Sequence, residues 1–559
     1  HPWPRPRVLH RDVLHTSPRV HPLMRVVPKE NEACNQTWIS DRDRFSYTGL
    51  YTEDRLTRPM LRENGALREA SWEEALQKAA KIIQGTAAER LGLLASPNAT
   101  LEELYLSSKL MRGLGSNHID HRLRQCDFRA DSADPALPWL GQRFADVQDN
   151  QVTMLVGSWL RKDQPLLNHR VRQSVSQGAA VIAVNPVAYA VNYDLDVDIV
   201  CSPAEMVLEL AGIAQALNAP TQGIEVTVDE AHSAAADLLQ QAGQGSIILG
   251  TAAMLHPDFA LLRQLVANIA QAAKVAWGTV GFGANDTGAW LAGAVPHRTA
   301  GGGTIPPGLH AAAMQQDTCD TLLLLGVEPE ADVADPQQTA KALTEASVVA
   351  LSAYLTPLLA QTAEVVLPIA TFVETSGSYV NLQGDVQSFT GATAPLGEAR
   401  PAWKIMRVLG NLLELKGFDY LDSQEVLTEV LGLYPAITPD NQLQDNSALS
   451  ATFNTEGIQR IGGIPMYASD ASVRRAAALQ ATPDAWGNQC NQLRLNPELA
   501  NQLGLQDGAQ ARVTQGENSV ELAVSLDDAV PDNCAWLPSA IPASAALGCS
   551  FASIRVEKV

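Results

Sequence analysis

The sequence predicts an α/β protein with two parallel-sheet domains, a small N-terminal β subdomain and a C-terminal β-barrel, and three observations lead there. Apolar residues make up 46% of the 559 and aromatics only 5%, with Ala- and Leu-rich stretches of the kind that cover parallel sheets. Two segments far apart repeat one order of strand, glycine, loop, helix and strand. The last eighty residues change to short alternating strands bounded by turns. At this length the chain holds several domains with cores that need no disulfide support.

In chain order, residues 1–23 are basic, hold no apolar run and read as a disordered or non-native leader. His10, His15 and His21 are irregularly spaced, and a metal tract there is the weaker alternative. Residues 24–62 alternate strand-like and turn-like pieces (MRVVP, TWISD, DRFSYTGLY) and read as the small β subdomain. Ser71-Trp72-Glu73-Glu74 then supplies a serine cap with carboxylates in the first turn, opening a helix through Ala79 and Ile83. The α/β part is assigned to residues 63–125 plus 313–480, with 126–312 as an inserted second α/β domain.

The two repeats run from Val152 to Pro203 and from Thr321 to Ala370. In each, an apolar strand meets a glycine, Gly157 or Gly326, then a polar loop, a helix and a strand (Val181–Val184 or Val348–Leu351). Glycine lets the backbone turn sharply where a ligand would approach the strand end, though turning alone also explains it. The connecting stretch with Gly250, Gly278, Gly281, Gly283 and Gly301–Gly303 either walls a pocket or links the halves. Residues 481–559 form the barrel: Asn496-Pro497 starts a short helix, Asp507-Gly508 turns into a strand over Ala511–Thr514, and a second strand covers Val520–Val524.

The charge of −21 opposes nucleic acid and anionic membrane surfaces, and no apolar run approaches the roughly 20 residues that span a bilayer. Seven cysteines lie too far apart for a C-x-x-C site and read as reduced thiols. One stretch stands out. In EVVLPIATFVETSGSYVNLQGDVQ, Glu364–Gln387, a buried strand dissolves into a polar, glycine-rich loop carrying Glu374, Asn381 and Gln387. Such an ending faces a ligand or partner. Glu374 has no histidine beside it in a Ser-His-Asp or Cys-His order, so it reads as a loop brace rather than a general base. Arg161-Lys162-Asp163 offers either an anion site or a charged contact. No G-x-G-x-x-G follows a strand, which argues against an NADH site here.

The succession GSNHIDHRLRQCDFRAD (115–131), VGSWLRKDQPLLNHRVR (156–172), VVLPIATFVETSGSYVNLQGDVQ (365–387) and LNPELANQLGLQDGAQARV (495–513) resembles the molybdopterin-oxidoreductase superfamily. With VVPKENEACNQTWISDRDRFSYTGL (26–50), it is similar to one branch, the large iron–sulfur subunit, or G subunit, of NADH:quinone oxidoreductase, respiratory complex I. The resemblance covers almost everything from Arg25 onward. It implies two interleaved α/β domains of the molybdopterin oxidoreductase type and a dinucleotide-binding-type barrel. Gly157, Gly326, Glu374, Asn381 and Gln387 become the candidates for a cofactor cleft.

The resemblance also implies a scaffolding role in electron transfer from NADH to quinone, with no catalytic residue and no independent activity of this chain. Its partners would be the NADH/FMN-binding and cluster-bearing subunits of the peripheral arm, at the cytoplasmic face of a bacterial inner membrane. Clustered cysteines are absent before Val26, so iron–sulfur clusters are expected in a missing N-terminal part and no cofactor in this chain. The rival reading is an active molybdenum or tungsten bis-pterin oxidoreductase with Cys126 as ligand. A thiolate near Arg122, Arg124 and Arg129 would suit a soft metal; otherwise these arginines pair with Asp120, Asp127 and Asp131 and Cys126 is structural.

Overall fold

The computed structural model describes residues 7–10, 23–316, 319–434, 438–443, 449–453, 456–483 and 489–559. The chain forms two compact units: residues 1–123, 282–438 and 469–481 make the first, and 124–281, 439–468 and 482–559 the second.

The first unit is built on a seven-stranded sheet. Its core strands, Leu91–Ala95, Thr321–Leu325, Ser347–Ser352 and Ala363–Pro368, run parallel. The first two are buried at every residue, the continuous apolar pattern of strands covered on both faces. Met60–Glu63 and Ala66–Glu69 add an antiparallel hairpin at one edge, and Ile119–Asp120 closes the other. Helices Trp72–Gln84, Leu101–Gly113 and Ala402–Leu412 belong to the same unit. The first starts at Ser71, whose hydroxyl accepts the Glu74 N–H.

The segment read as a small β subdomain is different. Arg7–His10 pairs antiparallel with Leu23–Val27, so the expected leader contributes a strand, while the histidine tract falls outside the described residues and side chains. Asp41–Phe45 is helical, capped by Ser40, and runs into a 3-10 turn over Ser46–Tyr51. Met60–Glu63 belongs to the main sheet. Serine capping of an Asp-Arg-Asp-Arg turn outweighs the strand propensity of its aromatic neighbours.

The second unit has an all-parallel sheet ordered Ala276–Thr279, Gly245–Leu249, Val152–Val156, Ala180–Asn185, Val197–Val200. Two of these strands, Gly245–Leu249 and Ala276–Thr279, lie in the stretch read as loop-rich. Residues 282–312 cluster with the first unit, so the inserted segment ends near 281 rather than 312. The same unit holds a closed six-stranded barrel. Its strands Gln510–Gln515 and Asn518–Leu526 form a hairpin, and Asn496 caps the helix Pro497–Gln502. The barrel also takes in Ile458–Ile461, well before residue 481. Leu493, Leu495, Ala511, Val513, Val524 and Leu537 fill its core.

Candidate functional site

In the first unit the four parallel core strands end together, and the residues that follow them line a cavity of about 890 Å³: Ser96, Gly326, Tyr354 and Thr371. Pairing continues one step past the strands, with the N–H groups of Ser96, Gly326 and Ile369 donating to Leu325, Leu351 and Ser352 carbonyls at 2.8–3.0 Å. A parallel sheet leaves such a crevice at its carboxyl edge, where ligands of open α/β folds bind.

One wall is the start of the Leu101–Gly113 helix. Thr100 and Glu103 form a reciprocal capping box, the Glu103 carboxylate accepting the Thr100 N–H at 2.9 Å. Burial raises the Glu103 carboxyl to about 7, against the pull of these hydrogen bonds. Beside it the buried Glu102 carboxylate accepts both the N–H and the hydroxyl of Ser378 at 2.8 Å. This ties the hairpin of Gly377–Val380 and Val386–Phe389 to the helix. On that hairpin the Tyr379 and Phe389 rings stack at 5.7 Å and 11°, and the Tyr379 hydroxyl donates to the Asn98 carbonyl.

A second wall is a buried ion network. Arg474 reaches Glu328 at 2.7 Å and Asp332 at 3.0 Å, while Arg475 reaches Glu328 at 2.7 Å and Asp54 at 2.6 Å. The Arg475 guanidinium also lies over the Tyr354 ring at 4.0 Å. Burial pushes the Glu328 carboxyl up and the two guanidiniums oppose it. Tyr354 is raised to about 12, chiefly by burial.

The cleft candidates part company. Gly326 and Gln387 line the cavity. Glu374 is 5% exposed and is not among the residues lining it, accepting from Arg55 at 2.5 Å, from the Thr371 N–H at 2.8 Å and from the Leu396 N–H at 3.1 Å. It braces the loop. Asn381 folds its carbonyl oxygen onto the Gln383 and Asp385 N–H groups and its amide toward Cys34 Sγ at 3.8 Å. Gly157 lies in the second unit at φ +54°, where a Cβ would strike the Ala253 backbone; close packing requires this glycine.

Cys126, also in the second unit, is half-buried with Sγ 3.9 Å from the Arg124 carbonyl. Of the nearby arginines, Arg122 is bound by Asp120, and Arg129 by Asp127 and Asp258. Among the described residues no group of three or more His, Cys, Asp or Glu could hold a metal. Lys162 and Asp163 line a smaller cavity of about 120 Å³ with Trp159, Tyr189 and Arg494, and Trp159 and Tyr189 stack at 4.8 Å.

Glu103, Glu328, Asp332 and Asp470 are cavity residues that the sequence reading does not single out. Thr100-Leu-Glu-Glu103 ahead of an apolar helix is a capping-box signature that marks Glu103. The others carry no such signal.

The family model "Molybdopterin oxidoreductase" matches residues 55–412, "Molydopterin dinucleotide binding domain" matches 475–553, and "NADH-ubiquinone oxidoreductase NDSU1/NuoG-like, 4Fe-4S domain" matches 14–48. Among curated proteins, the G subunit of NADH-quinone oxidoreductase from Rickettsia felis is 26% identical over 83% of this chain and 63% of its own length. That of Rickettsia bellii is 27% identical over 76% and 56%. The mitochondrial NADH-ubiquinone oxidoreductase 78 kDa subunit of Candida albicans is 27% identical over 70% and 50%. The chain thus spans between half and two thirds of the length of these relatives. Among solved structures, acetylene hydratase from Pelobacter acetylenicus superposes with a TM-score of 0.58 at 14% identity, covering 93% of this chain and 94% of that one, which shows the shared fold.

Proposed function

Because this chain belongs to the molybdopterin oxidoreductase family, we propose that it is the structural part of the G subunit of an NADH-quinone oxidoreductase. In this reading it positions the NADH/FMN-binding and cluster-bearing subunits of the peripheral arm, at the cytoplasmic face of a bacterial inner membrane, and performs no redox step of its own. The relatives' names support the assignment to the complex. No helix among the described residues is long and apolar enough to cross a membrane.

The observation that carries the scaffold reading is the character of the strand-end cavity. The fold family implies a pterin dinucleotide, whose diphosphate needs cations or open helix N–H groups. Here the one long-helix N-terminus at the cavity is closed by the Glu103 carboxylate, and Arg474 and Arg475 are engaged by Glu328, Asp332 and Asp54. Lys29 is the one basic residue among the described lining, against Glu30, Asp43, Glu103, Glu328, Asp332 and Asp470. These residues do not fit an anionic dinucleotide. The 14–48 match contains one cysteine, Cys34, buried and approached by Asn381 and Gln383. A 4Fe-4S cluster takes four thiolates, so this span supplies a single thiol toward one.

The test is elemental analysis for molybdenum, tungsten and iron on the purified chain, with mass spectrometry of extracted pterin and identification of the subunits that co-purify from membranes. The expected result is no molybdenum, tungsten or pterin and co-purification of NADH-quinone oxidoreductase subunits. Stoichiometric molybdenum or tungsten with pterin would overturn it in favour of the rival reading in which Cys126 is the ligand.

A further inference from the structure

The cavity that repels a diphosphate is nevertheless large, walled and chemically specific. About 890 Å³ lies within the range of ligand pockets. Its polar lining is held in place rather than loose: Glu103 by Thr100, Glu328 and Asp332 by two arginines, and Tyr379 by the Asn98 carbonyl. The Tyr379 and Phe389 pair presents a flat aromatic surface on the hairpin, and Phe372, Ile369 and Val373 add apolar wall. Flat surfaces of this kind take planar rings by stacking, and carboxylates near an aromatic face favour a positive charge on the ring.

We propose that the strand-end cavity of the first unit binds a flat heteroaromatic cation that carries no phosphate, its ring beside Tyr379 and Phe389 and its charge toward Glu103. The charged groups that line the cavity come from five segments: Glu103 on the helix, Glu328 and Asp332 after the Thr321–Leu325 strand, Asp470 at the cap of Ala471–Arg474, Asp43 on its short helix, and Lys29 with Glu30; Glu102, beside Glu103, is taken by Ser378. Arg474 and Arg475 neutralise the Glu328 group. Burial raises the Glu103 carboxyl to about 7, so a cationic ligand beside it should bind more tightly as pH rises from 6 to 8.

Proflavine, a planar fluorescent cation, is the probe, titrated into the full chain at pH 6, 7 and 8, with guanosine diphosphate as the anionic competitor. The expected result is one saturable site per chain, tightening by about tenfold across that range, as one added charge contact gives, and no displacement by guanosine diphosphate. Glu103→Gln keeps the capping box, since glutamine serves at that position, and should weaken binding at pH 8 by about tenfold and flatten the pH profile. Tyr379→Leu should weaken it independently of pH. A correctly folded Glu103→Gln chain with unchanged affinity and pH profile would overturn the proposal, as would absence of saturation, several equivalent surface sites, or displacement by guanosine diphosphate. Metal content and co-purifying subunits read the assembly proposal separately, so either can fail alone.

Discussion

At the scale of single residues, Glu374 shows how a polar group in a suggestive loop can be structural. It and Arg55 are 319 residues apart in sequence and form a pair with side chains 2% and 1% exposed. Removing one partner strands a buried charge, so Glu374→Ala should lower stability by about 3–5 kcal/mol, read as a shift in the urea midpoint, while Arg55→Met with Glu374→Leu should recover much of the loss. Glu103 gives a pH-dependent counterpart. Its folded carboxyl titrates near 7 against an ordinary value of 4.5, so the folded state holds the proton that the unfolded state has lost. That contribution is complete below pH 4.5 and disappears as pH rises through 7. Thermal melts of Glu103→Gln and the native chain should therefore diverge in favour of the variant between pH 5 and 8. The brace role of Glu374 was readable because its loop has no histidine partner. Its arginine was not, because no local pattern links residues so far apart, and the same distance hid that Glu328, Asp332 and Asp470 line one cavity with Glu103.

At the scale of elements, the two strand-ending glycines occupy matching places in their repeats but face different surroundings. Both have positive φ, +54° at Gly157 and +64° at Gly326. At Gly326 an added Cβ would meet Ser96 Cβ at an ordinary 3.4 Å, so Gly326→Ala should cost only the left-handed backbone penalty of about 1–2 kcal/mol. At Gly157 it would strike the Ala253 backbone, and Gly157→Ala should cost several times more, measured by the same urea titration. Thr100→Ala should remove about 1 kcal/mol from the Leu101–Gly113 helix. The strands after which these glycines fall were legible because they are apolar but for one threonine each, as were the Ser71 cap and the Asn496 helix of the barrel. Gly245–Leu249 and Ala276–Thr279 were not: glycines at their ends and within Ala276–Thr279 gave them the look of loops. The hairpin Met60–Glu69 escaped assignment to the main sheet because nothing local tells an edge strand which sheet it joins.

At the scale of the whole molecule, the chain passes between the two units five times, at 123, 281, 438, 468 and 481. A fragment ending at residue 320 therefore keeps Leu91–Ala95 but loses the three parallel strands Thr321–Leu325, Ser347–Ser352 and Ala363–Pro368. Such a fragment should show rapid amide exchange through Leu91–Ala95 and run as aggregate on gel filtration, whereas the full chain should protect that strand strongly. The same interleaving bears on synthesis. Thr321–Leu325 lies directly against Leu91–Ala95, yet it leaves the ribosome about 230 residues later, which at roughly 5–20 residues per second is between ten seconds and a minute. Throughout that interval the nascent chain carries an apolar strand whose native neighbour on that side does not yet exist, and the five strands of the second sheet, all within residues 152–279, emerge before it ends. Translation order thus makes the sheet that begins first in the sequence close after the one that begins second, and leaves an apolar strand in need of shielding during the wait.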